Sequence, residues 1–203
     1  MTRTLVIETA TAVCSVALIE DGKVVAAAHE VVGRGHAERL VPMIAELPDG
    51  GRADAILVDV GPGSFTGIRV GIAAARGLGL GWGVPVSGYS SLPLIAATAF
   101  AADPTRDRVA VVLEGGHGEV FMQPFAADPF APTADLASLV PAEAMARLDG
   151  AHPVGNGVRF LGGGGEDRLP SAADSILLAS AFTALPPRPI YGRAPDAKPM
   201  AAR

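Results

Sequence analysis

The sequence predicts an α/β protein made of two successive units, of which the second is reduced. Each unit opens with a pair of strand-like segments, at residues 13–29 and 108–125. A run of apolar residues at 55–60 is typical of a parallel strand that is covered on both faces. With 203 residues and 49% hydrophobic content, the chain can bury a sizeable core as one domain or two small ones.

The first unit begins with three predicted antiparallel strands, at residues 4–8, 13–20 and 23–29. The pair Asp21-Gly22 separates the last two. A type I′ hairpin turn needs φ > 0 at both central residues, and Asp-Gly accepts this at low cost. The sequence therefore predicts a tight hairpin at this point.

Two helices and two further strands follow in the first unit. Apolar residues recur at helical spacing over residues 36–47, at Leu40, Met43, Ile44 and Leu47. That spacing predicts an amphipathic helix, and residues 48–53 end it. After the apolar strand at 55–60, we expect a helix at 66–81, a strand at 84–87 and a helix at 91–101 that Ser90 or Ser91 caps.

A domain boundary is predicted at the Asp-Pro segment that begins at Asp103, which divides the chain into residues 1–102 and 103–203. The second unit has fewer elements. They are predicted strands at 108–114 and 119–125, helices at 141–148 and 172–185, and an irregular proline-rich tail at 186–203.

Composition narrows the function classes. The net charge is −5, and only two of the basic residues, Lys23 and Lys198, are lysines, so we expect no autonomous RNA binding. No apolar run reaches the roughly 18 residues of a membrane span, which predicts a soluble cytoplasmic protein. The single cysteine, Cys14, lies in an apolar run and is expected to be a buried, unreactive thiol without a disulfide partner.

The most informative segment is the glycine-rich loop at residues 61–69, Gly-Pro-Gly-Ser-Phe-Thr-Gly-Ile-Arg. A loop between a buried strand and a helix can direct backbone N–H groups at an anion. It lacks the lysine of a Walker loop and misses the dinucleotide fingerprint by one position. The alternative is a plain helix entry, capped by Ser64 or Thr66, in which glycines permit φ > 0. The candidate nucleotide or anion loop comprises Gly61, Gly63, Ser64, Phe65, Thr66 and Gly67.

Several motifs together resemble those of the TsaB (YeaZ) family. They are Glu8-Thr9-Ala10-Thr11, residues 14–18, residues 36–43, the glycine-rich loop, Gly118-Glu119-Val120 and Pro189-Ile190-Tyr191. The resemblance runs from residue 3 to about residue 196. It implies an actin-like, Hsp70-ATPase (ribonuclease H-like) duplicated fold.

The same resemblance implies a role in making N6-threonylcarbamoyladenosine at position 37 of tRNA. It implies a non-catalytic subunit that binds and stabilises TsaD, the transferase, and works with the ATPase TsaE. No cofactor is then required, ATP or ADP is expected only within the complex, and tRNA is contacted only indirectly.

The residues also bear on catalysis. His36 has Leu40 four places on, so the H-x-x-x-H metal pair of TsaD-like enzymes is not encoded there, and neither metal binding nor peptidase activity is expected. Resemblance to actin-like ATPases puts Glu8 and Glu114 at their two metal-positioning carboxylates. That makes them a weak candidate cation site, with solvated strand ends as the alternative. A small-molecule kinase or ATPase of the actin-like superfamily is therefore the second hypothesis.

We expect the partner to dock on the helices at 36–47 and 66–81. Small residues recur every four positions along the second helix, and a close-packed partner would explain them, although packing against the protein's own sheet would explain them equally. The same contact could give a homodimer. The interface candidates are His36, Leu40, Met43, Leu47, Gly67, Gly71, Ala75 and Leu78.

Overall fold

The structure is a computed structural model that describes residues 2–193. The first half contains strands β1 (Arg3–Glu8), β2 (Val13–Glu20), β3 (Lys23–Val31), β4 (Ala55–Asp59) and β5 (Val86–Tyr89), and helices α1 (His36–Ala45), α2 (Phe65–Trp82) and α3 (Ser91–Ala102). The second half contains β6 (Arg108–Gly116), β7 (Glu119–Ala126), β8 (Ala131–Pro132), β9 (Ala137–Leu139) and β10 (His152–Val154), and helix α4 (Pro141–Ala146). Two mixed sheets result, which confirms the predicted α/β class.

The first sheet has the strand order β3-β2-β1-β4-β5. Strands β1 and β2 are antiparallel, whereas β4 pairs parallel with both β1 and β5. The predicted tight hairpin is present, because Asp21 and Gly22 have φ values of 47° and 77°. Since β1, β4 and β5 run parallel, their carboxyl ends meet at one edge of the sheet.

Helices α1 and α2 cover one face of the first sheet. Leu40, Met43 and Ile44 of α1 are buried in the same core as Leu5 of β1 and Ile68 of α2. The helical spacing of the apolar residues therefore predicted the buried face of α1 correctly. Helix α2 is capped by Ser64, whose Oγ accepts a hydrogen bond from Gly67 N, and it ends at Gly83 in a left-handed conformation.

The second sheet has the order β10-β6-β7-β8, with β9 on β7. Helix α3 packs on it through Leu92 and Ile95, which share a core with Val109 of β6 and Phe125 of β7. Thus α3 precedes the predicted boundary in the sequence while it packs against the second sheet. The division at residues 102 and 103 stays a prediction.

The largest difference from the sequence prediction lies at residues 172–185. In place of one helix, the chain forms 3₁₀ turns at Ala172–Leu177 and Ser180–Phe182. Ile176 and Leu177 are exposed, so the segment has no single apolar face that would stabilise a long helix by burial. The turns cross back to the first sheet, where Ser15 Oγ of β2 accepts a hydrogen bond from Ala172 N.

Smaller differences concern element ends. Helix α1 ends at Ala45, β5 starts at Val86, α4 ends at Ala146, and the short strands β8, β9 and β10 were not predicted. Residues 186–193 of the tail form no helix or strand, as expected, and the rest of the tail lies outside the described residues. Within residues 2–193, none of the helices combines the length and the hydropathy needed to cross a bilayer.

Candidate functional site: the interlobe cleft and the residues beside it

A cleft of about 820 Å³ lies between the part of the chain built on the first sheet and the part built on the second, which we call the first and second lobes. The first lobe lines it with the loop after β1 and with Gly63, Ser64 and Phe65 of the glycine-rich loop. The second lobe contributes the turn of the β6–β7 hairpin and Phe121. Residues 190–193, near the end of the described chain, complete the lining. The cleft therefore gathers segments that are far apart in the sequence.

Much of the glycine-rich loop is bonded to the protein itself. Gly61 N donates to Asp59 Oδ1 at 2.7 Å, and Ser64 N donates to Ala10 O at 2.6 Å. Gly67 N donates to the capping Ser64 Oγ at 3.2 Å. These three N–H groups already have acceptors, and Gly61, Thr66 and Gly67 are not among the cleft-lining residues. The candidate anion-binding N–H groups that line the cleft are thereby reduced to those of Gly63 and Phe65, while Ser64 lines the cleft with its own N–H already bonded.

Gly63 is required for a reason other than the predicted one. Its φ does not lie in the left-handed region, so the expectation of φ > 0 there is wrong. A Cβ at this position would lie 1.9 Å from Ala10 O, well inside van der Waals contact. Glycine therefore allows the loop to pass directly against the chain that leaves β1.

The small residues of α2 face inward. A Cβ on Gly67 would lie 2.1 Å from Thr9 O, and one on Gly71 would lie 2.3 Å from Thr9 Oγ1. Ala75 is buried in the first core, and Leu78 packs partly buried against it. The expectation that Gly67, Gly71 and Ala75 contact a partner is therefore wrong, because they let α2 approach the protein's own sheet.

The α1 candidates are also internal. Leu40, Met43 and Leu47 belong to the first core, so they offer no apolar surface to a partner. His36 is buried, and its Nε2 lies 2.9 Å from Thr11 O and 3.0 Å from Val13 O. Both carbonyl oxygens are acceptors, so Nε2 carries the proton and ties the start of α1 to the loop before β2. Its predicted place in an interface is corrected to a structural one.

Other residues of the two helices are exposed. The side chains of Val41 in α1 and Leu80 in α2 are 60% and 87% exposed. Ala73 and Gly77 are exposed too, and a Cβ on Gly77 would meet nothing within 4 Å. Arg76 is exposed on the same side of α2, at helical spacing from Ala73 and Leu80. We call the small and apolar exposed residues of the two helices the α1–α2 face: Val41, Ala73, Gly77 and Leu80.

A buried polar cluster forms where β1, β4 and β5 end, from Glu8, Asp59 and Tyr89. Glu8 Oε1 accepts from Ala10 N at 2.9 Å, and Glu8 Oε2 accepts from Tyr89 Oη at 2.9 Å. Asp59 Oδ1 accepts from Gly61 N and from Ser91 N. The carboxyl groups of Glu8 and Asp59 are close enough for Asp59 to affect the pKa of Glu8.

Burial decides the protonation of this cluster. It raises the pKa of Glu8 well above its ordinary value, and the neighbouring charge of Asp59 raises it further. Burial also raises the pKa of Asp59, against the hydrogen bonds that favour its charged form. Among residues 2–193, Asp59 Oδ2 and Ser91 Oγ have no hydrogen-bond partner, and the nearby Ser91 side chain acts to lower the pKa of Asp59. Because the pKa of Glu8 is raised by both burial and the charge of Asp59, we assign the proton of this pair to Glu8.

Glu114 has a different environment from Glu8. It lines the cleft, is partly exposed, and pairs with Arg159 Nη2 at 2.5 Å. Glu8 is buried and is not a lining residue, so the two carboxylates do not face one cleft and the predicted cation site is wrong. The alternative, a solvated strand end, fits Glu114 but not Glu8. Across residues 2–193, no three His, Cys, Asp or Glu side chains form a group that could hold a metal.

An aromatic and arginine cluster at the cleft mouth was only partly predicted. Arg69 lies 3.5 Å from the centroid of the Phe65 ring, and its Nη2 donates to Tyr191 Oη at 3.1 Å. The ring centroids of Phe65 and Tyr191 lie 5.9 Å apart, and the two residues are 56% and 50% exposed. Sequence reasoning missed Asp59 as well, although a polar residue at the end of an apolar parallel strand is a usable signal.

Comparisons with known proteins agree with this architecture. The family model for TsaD, tRNA N6-adenosine threonylcarbamoyltransferase, matches residues 27–139. The tRNA threonylcarbamoyladenosine biosynthesis protein TsaB of Escherichia coli is 39% identical over 131 residues, which are 62% of this chain and 56% of the relative. TsaB of Haemophilus influenzae is 39% identical over 113 residues, 53% of this chain and 48% of the relative.

Two solved structures extend the likeness over most of the chain. YeaZ from Pseudomonas aeruginosa is 28% identical, with a TM-score of 0.79 over 94% of this chain and 100% of that one. A second structure from that organism, described as having similarity to peptidase YEAZ, gives 0.77 over 95% and 100% at the same identity. This chain belongs to the TsaB/YeaZ family. Its fold is accordingly actin-like (ribonuclease H-like), as the resemblance implied.

The matches cover different shares of the relatives' own lengths. The matches span about half the length of the E. coli and H. influenzae relatives. A Mycobacterium tuberculosis relative, itself described as uncharacterized, is 32% identical over 97% of this chain and 94% of its own length.

Proposed function

We propose that this protein takes part in making N6-threonylcarbamoyladenosine at position 37 of tRNA, as the subunit that binds and stabilises TsaD. Membership of the TsaB/YeaZ family carries the proposal, because two relatives are named tRNA threonylcarbamoyladenosine biosynthesis proteins. The match to the TsaD family model supports a place beside that enzyme. TsaD then transfers the threonylcarbamoyl group, and TsaE completes a cytoplasmic complex in which this chain contacts tRNA only indirectly.

The carboxylates support a non-catalytic role. Glu8 is buried with its oxygens engaged, and Glu114 is paired with Arg159. A pair that positions a metal and an attacking water must face the reacting groups together. In this proposal the isolated chain therefore turns over neither ATP nor peptides, and a nucleotide enters only within the complex.

The α1–α2 face is the proposed docking surface for TsaD. Its small members, Ala73 and Gly77, allow close approach by another helix, and Val41 and Leu80 supply exposed apolar anchors. This keeps the two predicted docking helices and replaces the buried side chains by exposed ones. A second copy of this chain could occupy the same face when TsaD is absent.

Affinity capture of the cell's own TsaD by the tagged chain tests the proposal. Ala73→Leu and Gly77→Leu should lower TsaD capture about tenfold, because bulky side chains obstruct close helix packing. Ala142→Leu, on the exposed side of α4, is the matched control and should capture normally. Circular-dichroism melts of the three variants should be no lower than that of the wild type, and Gly77→Leu should melt higher because leucine favours the helix more than glycine does.

Two results would contradict the proposal in separable ways. Failure of the wild-type chain to capture TsaD would count against the function itself. Normal capture by both α2 variants would leave the function standing and move the docking surface elsewhere. Size-exclusion chromatography of the chain alone would show whether the same variants also abolish a homodimer.

The cleft favours one second candidate, a small-molecule kinase or ATPase of the actin-like superfamily. An interlobe cleft of about 820 Å³ is large enough for a nucleotide. A phosphate-release assay on the isolated chain distinguishes the two hypotheses. Turnover of ATP that Glu8→Gln abolishes would favour the enzyme, whereas absence of turnover together with TsaD capture favours the assembly subunit.

A further inference from the structure

The chain between Leu185 and Arg193 crosses from one lobe to the other. Leu185 pairs with Gly88 of β5 in an antiparallel bridge, with Gly88 N donating to Leu185 O at 2.6 Å. Ile190 N donates to Val60 O at 2.7 Å, next to the glycine-rich loop. This part of the segment is therefore anchored on the first lobe by backbone hydrogen bonds.

The far end of the segment lies on the second lobe. A Cβ on Gly192 would lie 2.6 Å from the Phe121 ring of β7 and 3.2 Å from Pro62 Cβ, so the backbone passes between the two lobes. Arg193 Nη1 lies 3.2 Å from Glu119 Oε2, also in β7. Residues 190–193 line the cleft that they cross.

Between the two ends of this segment, Tyr191 contacts helix α2 of the first lobe. Its hydroxyl accepts from Arg69, and its ring lies beside Phe65 and 5.9 Å from the Arg69 guanidinium. The tyrosine is half-exposed, so this contact is weaker than a buried one and can open without exposing a core. The backbone anchors at Leu185 and Ile190 do not depend on it.

We propose that residues 185–193 form a strap that holds the interlobe cleft closed, with Tyr191 on Phe65 and Arg69 as its releasable clasp. Release of the clasp frees residues 191–193 while the backbone anchors at Leu185 and Ile190 remain. These residues then no longer hold Phe121 and Glu119 of β7 beside the start of α2. Helix α3 also joins the two sheets, because Leu94 packs in a core with Val6 of β1 and Leu92 packs in a core with Val109 of β6. The strap therefore adds a second connection, at the cleft that it lines.

Amide hydrogen exchange of the full chain, followed by mass spectrometry, tests the strap. In Tyr191→Ala, the cleft segments at residues 60–66 and 113–121 should exchange about fivefold faster than in the wild type. Residues 13–20 in the centre of the first sheet should exchange at the wild-type rate. Tyr191→Phe keeps the ring and loses the hydroxyl, so it should give an intermediate increase in the same two segments.

Two further variants keep the proposal falsifiable. Gly192→Val places a side chain against Phe121 and should open the cleft while Tyr191 is intact. Ile176→Ala truncates a half-exposed apolar residue outside the cleft lining and should leave both segments unchanged. Wild-type exchange in Tyr191→Ala, or an equal increase at residues 13–20, would overturn the strap, the second result because it reports general destabilisation.

Discussion

The two lobes place a glutamate near the end of the first strand of their opening hairpins, and the two glutamates have opposite environments. Glu8 of β1 is buried beside Asp59 and its pKa is raised, whereas Glu114 of β6 is partly exposed and pairs with Arg159. The neighbours explain the difference. Strand β1 has the parallel neighbour β4, which ends in Asp59, while the parallel neighbour of β6 is the short β10, which ends in Val154. Corresponding positions in a duplicated fold therefore do not imply corresponding chemistry.

The largest expected effect comes from removing Asp59. Asp59→Ala should lower the free energy of unfolding by about 2–4 kcal/mol, because the buried N–H groups of Gly61 and Ser91 lose their acceptor. Glu114→Ala should cost less than about 1 kcal/mol, as expected for an exposed ion pair. Urea denaturation of both variants at one pH measures the contrast. Equal losses would mean that the two carboxylates are equivalent after all.

Two glycines test the comparison of the lobes further: Gly63, which lies against the loop after β1, and Gly116, in the β6–β7 hairpin. Gly63→Val should destabilise the protein by about 2–3 kcal/mol, since the added side chain collides with the backbone at Ala10. Gly116→Val should cost about 1 kcal/mol, because its φ of +71° is strained for valine while the space around it is open. Thermal melts of the two variants test the order. A melting temperature for Gly63→Val equal to that of the wild type would contradict the close approach.

The proton assigned to Glu8 predicts an unusual pH dependence of stability. Because the folded-state pKa values of Glu8 and Asp59 are raised, their contribution is fully present below the unfolded carboxyl pKa of about 4 and is lost as pH rises through the folded values. Urea denaturation between about pH 4 and pH 8 should show Glu8→Gln losing less stability with rising pH than the wild type. Glu114→Gln is the control. A wild-type slope in Glu8→Gln would refute the assignment of the proton to Glu8.

The smallest effect concerns helix starts. Ser64→Ala should cost about 1 kcal/mol, because Ser64 caps α2. Thr66→Ala, for which the sequence suggested the same loss, should cost only a few tenths of a kcal/mol, since the structure assigns the cap to Ser64. Val140 precedes α4 without a side-chain cap, so Val140→Ala provides the second-lobe control. Equal melting temperatures for Ser64→Ala and Thr66→Ala would contradict this assignment.

Local signals in the sequence predicted local structure well. The Asp21-Gly22 turn, the buried face of α1 and, within one residue, the start of α2 all follow from residues within a few positions of one another. The prediction of a helix at residues 172–185 was wrong, because the exposed apolar residues of this segment do not form one buried face. Family motifs predicted the actin-like fold, because they cover nearly the whole described chain.

Site residues were predicted less well, and the reason is geometric. The four-residue spacing of small residues in α2 was correctly recognised as a close-packing surface, but spacing gives no sign of which neighbour is packed. Gly71 approaches Thr9, which is far away in the sequence. The exposed members of the same helix, Ala73 and Gly77, could have been separated from it only by knowing which face the sheet covers.

The sequence by itself determined the α/β class, the order of most elements, the hairpin turn and the family, since these depend on local conformational preferences and on contiguous motifs. Only the tertiary structure decided that Glu8, Asp59 and Tyr89 meet, that the glycines of α2 face inward, and that residues 185–193 cross the cleft. Parallel pairing and chain crossing bring together residues that are dozens of positions apart. Burial then raises the pKa values of the two carboxyl groups, because a low-dielectric environment disfavours their charged forms.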